Sequence, residues 1–173
     1  MEAVIACALA APVFEEFRDE SATTRRVLDR VPGDKLTWKP HPKSMSLGQL
    51  AWHVATIPGG ISRIAQQSSF DVSQGSFVPP QPQSLEEILS AHEQSCRDAA
   101  KFLEGLTDQQ ANQGWRLLRN GTEVWTKPRI SVIRAIMLNH WYHHRGQLSV
   151  YLRLLDVSVP VIYGRSADEN PFA

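Results

Sequence analysis

Two histidines, His140 and His144, sit four residues apart late in the chain, and a third, His53, lies far upstream of them. Side chains at i and i+4 of a helix project from one face one turn apart, so this pair has the geometry of a two-point chelate. Ile130, Ile133, Met137, Leu148, Tyr151 and Leu155 recur in phase with the pair, which puts both rings on the stripe expected to face a core. His53 falls about 80° from the centre of a second stripe, formed by Leu47, Leu50, Ala51, Val54, Ile57, Ile61 and Ile64, and so borders it. Three neutral imidazoles converging in a core make a three-ligand site with open positions for water or substrate, the pattern of catalytic rather than structural zinc. Buried without partners, each ring would carry a polar penalty of about 1 to 3 kcal/mol. Spacing alone also fits core histidines satisfied by ordinary hydrogen bonds.

The neighbours of these histidines carry two readings each. Gln147, seven residues after His140, faces the same way; it suits a hydrogen bond to a ligand imidazole or a bound water, and equally simple packing. Arg145 suits a substrate carboxylate, or a salt bridge that fixes the tail through Asp168 or Glu169. Trp52 and Trp141 flank candidate ligands and either line a pocket or pack helices, while Gly146 suits a close helix approach. His143 points about 100° away from His144, toward solvent or a dimer surface. His92 and Cys96 suit core packing first and a fourth ligand second, and His41, between Pro40 and Pro42, belongs to an exposed loop.

Four amphipathic segments must position these groups. The first helix begins at Pro12, where a missing N–H is harmless, and stops at Pro32-Gly33. A loop from Val31 to Ser44 leads to the second helix, opened by a capping box of Ser46 and Gln49, with a bend or interruption expected at Pro58-Gly59-Gly60. A Ser-, Gln- and Pro-rich loop spans 68–83, and the third helix opens with a second box, Ser84 and Glu87. Asn120-Gly121 supplies the positive φ angles of a tight hairpin turn between Trp115 and Trp125. The last helix should run from near Pro128 to near Asp156, on the order of 40 Å. The tail from Val157 is expected to fold back as an irregular strap. These elements predict one all-α domain over residues 1–173, a four-helix bundle with long crossover loops and a small hairpin before the last helix.

Composition narrows the partners. Eighteen Lys+Arg cancel eighteen Asp+Glu, so the basic excess that phosphates or anionic membranes demand is missing, and neither nucleic acid nor a membrane is expected. Two cysteines, Cys7 and Cys96, suit a reducing cytoplasm rather than a disulfide scaffold. The apolar run Ala3 to Ala11 is shaped like part of a leader, but Glu2 stands where a leader needs basic residues. No stretch approaches the roughly twenty apolar residues of a membrane span.

The run Asn139-His140-Trp141-Tyr142-His143-His144-Arg145-Gly146-Gln147, with Tyr151-Leu152-Arg153 and the tail segment Tyr163-Gly164-Arg165-Ser166-Ala167-Asp168-Glu169, resembles the DinB-like family of metal-binding four-helix bundles. Ser46-Leu47-Gly48-Gln49-Leu50-Ala51-Trp52-His53 is similar to that family's first ligand motif, so the resemblance covers nearly the whole chain. It implies that His53, His140 and His144 hold one divalent ion, typically nickel or zinc, and that the protein is frequently a homodimer. Asp156 departs from the family pattern, standing where a glycine often follows the long helix. Family members include thiol-dependent transferases and isomerases. The leading expectation is thus a metal-dependent transferase or hydrolase acting on a small molecule, with a low-molecular-weight thiol as co-reactant and Tyr163 and Asp168 as further pocket candidates. A non-catalytic, metal-stabilised dimeric module is the alternative. A metal-free acid/base pair of His140 with Asp168 is a third.

Overall fold

Pro12 occupies the first turn of α1 (Ala11–Leu28), which turns Phe14, Phe17, Thr24 and Leu28 inward. The computed structural model describes residues 8–75 and 77–172; Cys7 and most of the leader-like apolar run lie outside them. The Ser46 hydroxyl accepts from the Gln49 N–H at 3.1 Å and the Gln49 side chain accepts from the Ser46 N–H at 3.0 Å, which starts α2 (Leu47–Gln66) as the sequence predicts. At the start of α3 (Leu85–Glu104) only half of the expected box forms. Ser84 Oγ caps the Glu87 N–H, whereas the Glu87 carboxylate reaches past it to the Gln83 N–H at 2.8 Å.

No interruption occurs at Pro58: α2 runs through it as one helix. Proline has no N–H to give the carbonyl four residues back, and that carbonyl normally turns to water and bends the helix. Here Trp141 Nε1 donates to the Val54 carbonyl at 2.8 Å from across the core. Next door, the Gly59 N–H donates to Ser95 Oγ at 2.8 Å, and His92 hydrogen-bonds the Ala55 backbone. A Cβ on Gly59 would lie 2.9 Å from the Ser95 Cα, so glycine is what lets α2 and α3 approach this closely.

The final helical run is not the uniform α-helix the spacing predicts. It follows a short helix, α4 (Asp108–Asn112), and consists of α5 (Arg129–Val132), a π-helical stretch Ile133–Asn139 and α6 (His140–Leu154). π turns take more residues than α turns and shift the phase of everything after them. Trp141, Arg145, Leu148 and Leu152 therefore form the buried stripe of α6, and His140 and His144 sit beside it, half-buried, rather than at its centre. The run ends in a Schellman arrangement: the Val157 N–H donates to the Leu152 carbonyl at 3.0 Å and the Asp156 N–H to the Arg153 carbonyl at 3.1 Å. Asp156 takes the left-handed conformation, φ 57°, that glycine usually supplies there.

The all-α expectation needs correction, because the protein is mostly helical with a small three-stranded sheet. Asn120 and Gly121, at φ 50° and 75°, turn β2 (Gly114–Arg119) into β3 (Thr122–Pro128), the antiparallel hairpin read from the sequence. The crossover loop adds β1 (Ser69–Asp71), parallel to β2 with Phe70 opposite Leu117. A lone hairpin is marginal, and the third strand with the burial of Trp115 supplies what it lacks. α2 packs on α3 and on the last helical run, α1 packs on α3 and α6, and one apolar core lies among them. The tail 157–172 has no helix or strand and is fastened by polar contacts: Arg30 with Glu169 at 2.6 Å, Arg153 with Asp168, and Arg26 with the Val161 carbonyl at 3.2 Å.

Candidate metal centre

α2 brings His53, and α6 brings His140 and His144, to one place, where one ring nitrogen of each lies within 4.8 Å of the other two. His53 Nε2 and His140 Nε2 are 3.1 Å apart, and the three rings meet edge to face with centroids 4.4–5.2 Å apart. A tetrahedral ion with metal–nitrogen bonds of about 2.0–2.1 Å would space its ligand nitrogens roughly 3.3 Å apart, close to the His53–His140 separation. Burial comes first among the causes lowering the affinity of all three rings for protons, and the neighbouring imidazoles add to it; His53 falls to about 4. At neutral pH the set therefore presents lone pairs rather than charges. The donors fit a borderline divalent cation.

Several neighbours hold the rings in place. Gln147 Oε1 lies 2.7 Å from His144 Nδ1, which puts the proton on Nδ1 and leaves Nε2 free to coordinate. The Trp141–Val54 hydrogen bond joins the residue after His140 to the residue after His53, a brace between the two ligand-bearing helices. Trp141 stacks on Phe17 and is fully buried, so of its two sequence readings the packing one applies. Trp52 packs against the core and also walls a hollow of about 390 Å³ that exposes the three histidines beside Met45, Thr56 and Phe77.

The other candidates lie elsewhere. Arg145 reaches neither Asp168 nor Glu169. It is buried, 1% exposed, with Nη1 2.5 Å from Glu20 Oε2 on α1, a close approach not aligned as a hydrogen bond. Its hydrogen bonds go to the Glu20 carbonyl at 3.3 Å, to Thr24 Oγ1 at 3.1 Å and to the hydroxyl of Tyr163 at 2.5 Å. A group so enclosed has no face left for a substrate carboxylate, and Tyr163 belongs to the same cluster rather than to the histidines. The Asp168 carboxylate is held by Arg153 and the Val159 N–H, which commits it to the strap instead of to His140. His143 is exposed, and Gly146 is also exposed with open space where a Cβ would stand, so it brings no helix close. Burial pushes the Cys96 thiol up to about 11, and Cys96 and His92 face each other and Ser21 inside the core. Phe77, Met45 and Thr56 were missed from the sequence. The only local signal was a set of apolar residues, Phe70, Val72, Phe77 and Val78, scattered through an otherwise polar loop.

Fold and site together define a helical protein that presents three imidazoles at the wall of a pocket. The DinB family model matches residues 8–170, and the chain belongs to the DinB family. YrdA of Bacillus subtilis strain 168, itself uncharacterised, is 27% identical over 153 residues, covering 87% of this chain and 85% of that one. A DinB-like protein from Bacillus cereus ATCC 10987 shares the fold at a TM-score of 0.66 and 23% identity, over 86% of this chain and 94% of its own. The DinB-like protein YjoA of Bacillus subtilis does so at 0.69 and 18%, over 90% and 99%. No helix among the described residues is long and apolar enough to cross a membrane.

Proposed function

We propose that the protein binds one divalent ion, nickel or zinc, through His53, His140 and His144, and acts as a metal-dependent transferase or hydrolase on a small molecule. The observation that carries this reading is the convergence of three half-buried imidazoles at the wall of an open hollow, with no fourth His, Cys, Asp or Glu in the group among the described residues. A closed set of four ligands is the mark of a structural ion, whereas three ligands leave a position for water or substrate. When bound, such an ion lowers the proton affinity of a coordinated water or low-molecular-weight thiol enough to give a nucleophile at neutral pH. The chain's own residues keep the rings neutral by burial, fix the His144 tautomer through Gln147 and hold α2 against α6 through Trp141.

A purely structural ion fits less well, since the core closes without the three rings, which border it. The free, half-buried Cys96 suits a reducing cytoplasm. Pairing with a second copy, carried by the family resemblance, finds exposed apolar residues one turn apart at Val150 and Leu154. Metal analysis of the purified protein and of His144→Ala tests the first step. One ion per chain is expected in the parent and loss of it in the variant; stoichiometric metal surviving in His144→Ala would overturn the assignment.

A further inference from the structure

Behind the histidines lies a second cavity, of about 500 Å³, within the range that holds a small organic molecule. It shares His53, Thr56, Phe77 and His140 with the outer hollow, so the two spaces meet at the candidate metal centre. Its walls come from the small sheet as well as from the helices: Ile61 and Ile64 of α2, Phe70 of β1, Trp115 and Leu117 of β2, and Ile136 of the π stretch. Apart from the two imidazoles at its rim, the polar side-chain groups of the wall are the Thr56 hydroxyl and the Trp115 indole N–H, which already donate to the Trp52 carbonyl at 2.9 Å and the Ile64 carbonyl at 3.4 Å. A charged or strongly hydrated group placed inside would lose its solvation without a partner.

The two glycines after Pro58 divide their roles. Gly59 meets Ser95 closely, whereas at Gly60 an added Cβ would find no atom within 4 Å, and Gly60 lines the cavity. Glycine inside a helix is unfavourable by roughly 0.5–1 kcal/mol relative to alanine. No backbone contact requires it at 60; what its missing side chain leaves is room.

We infer that this cavity receives an uncharged apolar arm, aliphatic or aromatic, of the small-molecule substrate, whose polar reacting end lies at His53, His140 and His144. The inference rests on the metal-site reading above. Straight-chain alkanoyl hydroxamates from two to eight carbons probe it on the zinc-loaded protein, because the hydroxamate can ligate the ion while the chain enters the cavity. Affinity should rise about fourfold per methylene until the space is filled. Gly60→Leu fills the cavity with a good helix former and should flatten that dependence, and Gly60→Ala should shorten it; far-UV circular dichroism checks that both variants fold.

Zinc titration of each protein reads the metal site separately. Zinc binding with no chain-length dependence in the parent protein overturns the inference and leaves the metal site standing. A dependence that persists in Gly60→Leu also overturns it. Should zinc fail to bind, the metal reading falls, and saturation-transfer NMR with 1-octanol on the metal-free protein decides the cavity. An octanol signal present in the parent and absent in Gly60→Leu supports an apolar-ligand site; no signal in the parent overturns it.

Discussion

The indole N–H of Trp141 satisfies a carbonyl that Pro58 cannot, and a double-mutant cycle measures this directly. In Trp141→Phe the Val54 carbonyl loses its donor while staying fully buried, because residue 58 has no N–H to offer. An orphaned buried acceptor costs about 1–3 kcal/mol. The space left by the smaller ring beside Phe17 adds ~1 kcal/mol. The total destabilisation should then be roughly 2–4 kcal/mol. In a Pro58→Ala background the restored Ala N–H bonds the same carbonyl, and the tryptophan substitution should cost only the packing part, ~1 kcal/mol. Urea unfolding of the four proteins, followed by far-UV circular dichroism, gives the coupling energy. Equal cost in both backgrounds would refute the account of why α2 passes through a proline unbroken. The same brace lies one residue from both His53 and His140, so Trp141→Phe should also weaken zinc binding, roughly tenfold, in a calorimetric titration.

Three further outcomes follow from local geometry. Asp156→Gly should raise stability by about 1 kcal/mol in chemical denaturation, since glycine takes the φ 57° position of the Schellman cap without a Cβ penalty; a loss of stability would show that the Asp side chain itself contributes to the cap. Gly146→Ala should stabilise by about 0.5–1 kcal/mol, because the site is exposed, helical and open, and a drop in melting temperature would mean that this face is covered in solution. Asp71 accepts from the Ser73, Asn120 and Gly121 N–H groups and the Ser73 hydroxyl, which hold its carboxyl down at about 2. A depressed carboxyl stabilises above its unfolded value of 3.8 and loses that contribution as pH falls through about 2. Protection of the Asn120 and Gly121 amides, the ratio of intrinsic to observed exchange rate at each pH, should therefore fall between about pH 4 and 2, and in Asp71→Asn it should lose that acid dependence; an identical acid response in the variant would sink the assignment.

Much of the local architecture is legible without the fold. Capping at Ser46, the helix start at Pro12 and the Asn120-Gly121 turn are set by groups within three or four residues of one another, and local chemistry is what a sequence displays. The His140 and His144 pair is of the same kind, as a spacing on one helix. Its phase against the core was not legible, because the π stretch before it shifts the register and puts Arg145 and Trp141 inward instead. Arg145 can be buried only because Glu20, Thr24 and Tyr163 reach it from α1 and the tail, more than a hundred residues away in the first two cases. Pro58 is tolerated for the same reason, through partners on α3 and α6. β1 is too short to announce itself and exists by pairing with β2, and that pairing closes the apolar cavity beside the histidines. The sequence by itself determined which residues can ligate an ion. The tertiary structure alone decided that His53 meets the other two, what braces them and what space lies behind them, since each depends on contacts between chain segments that no local spacing encodes.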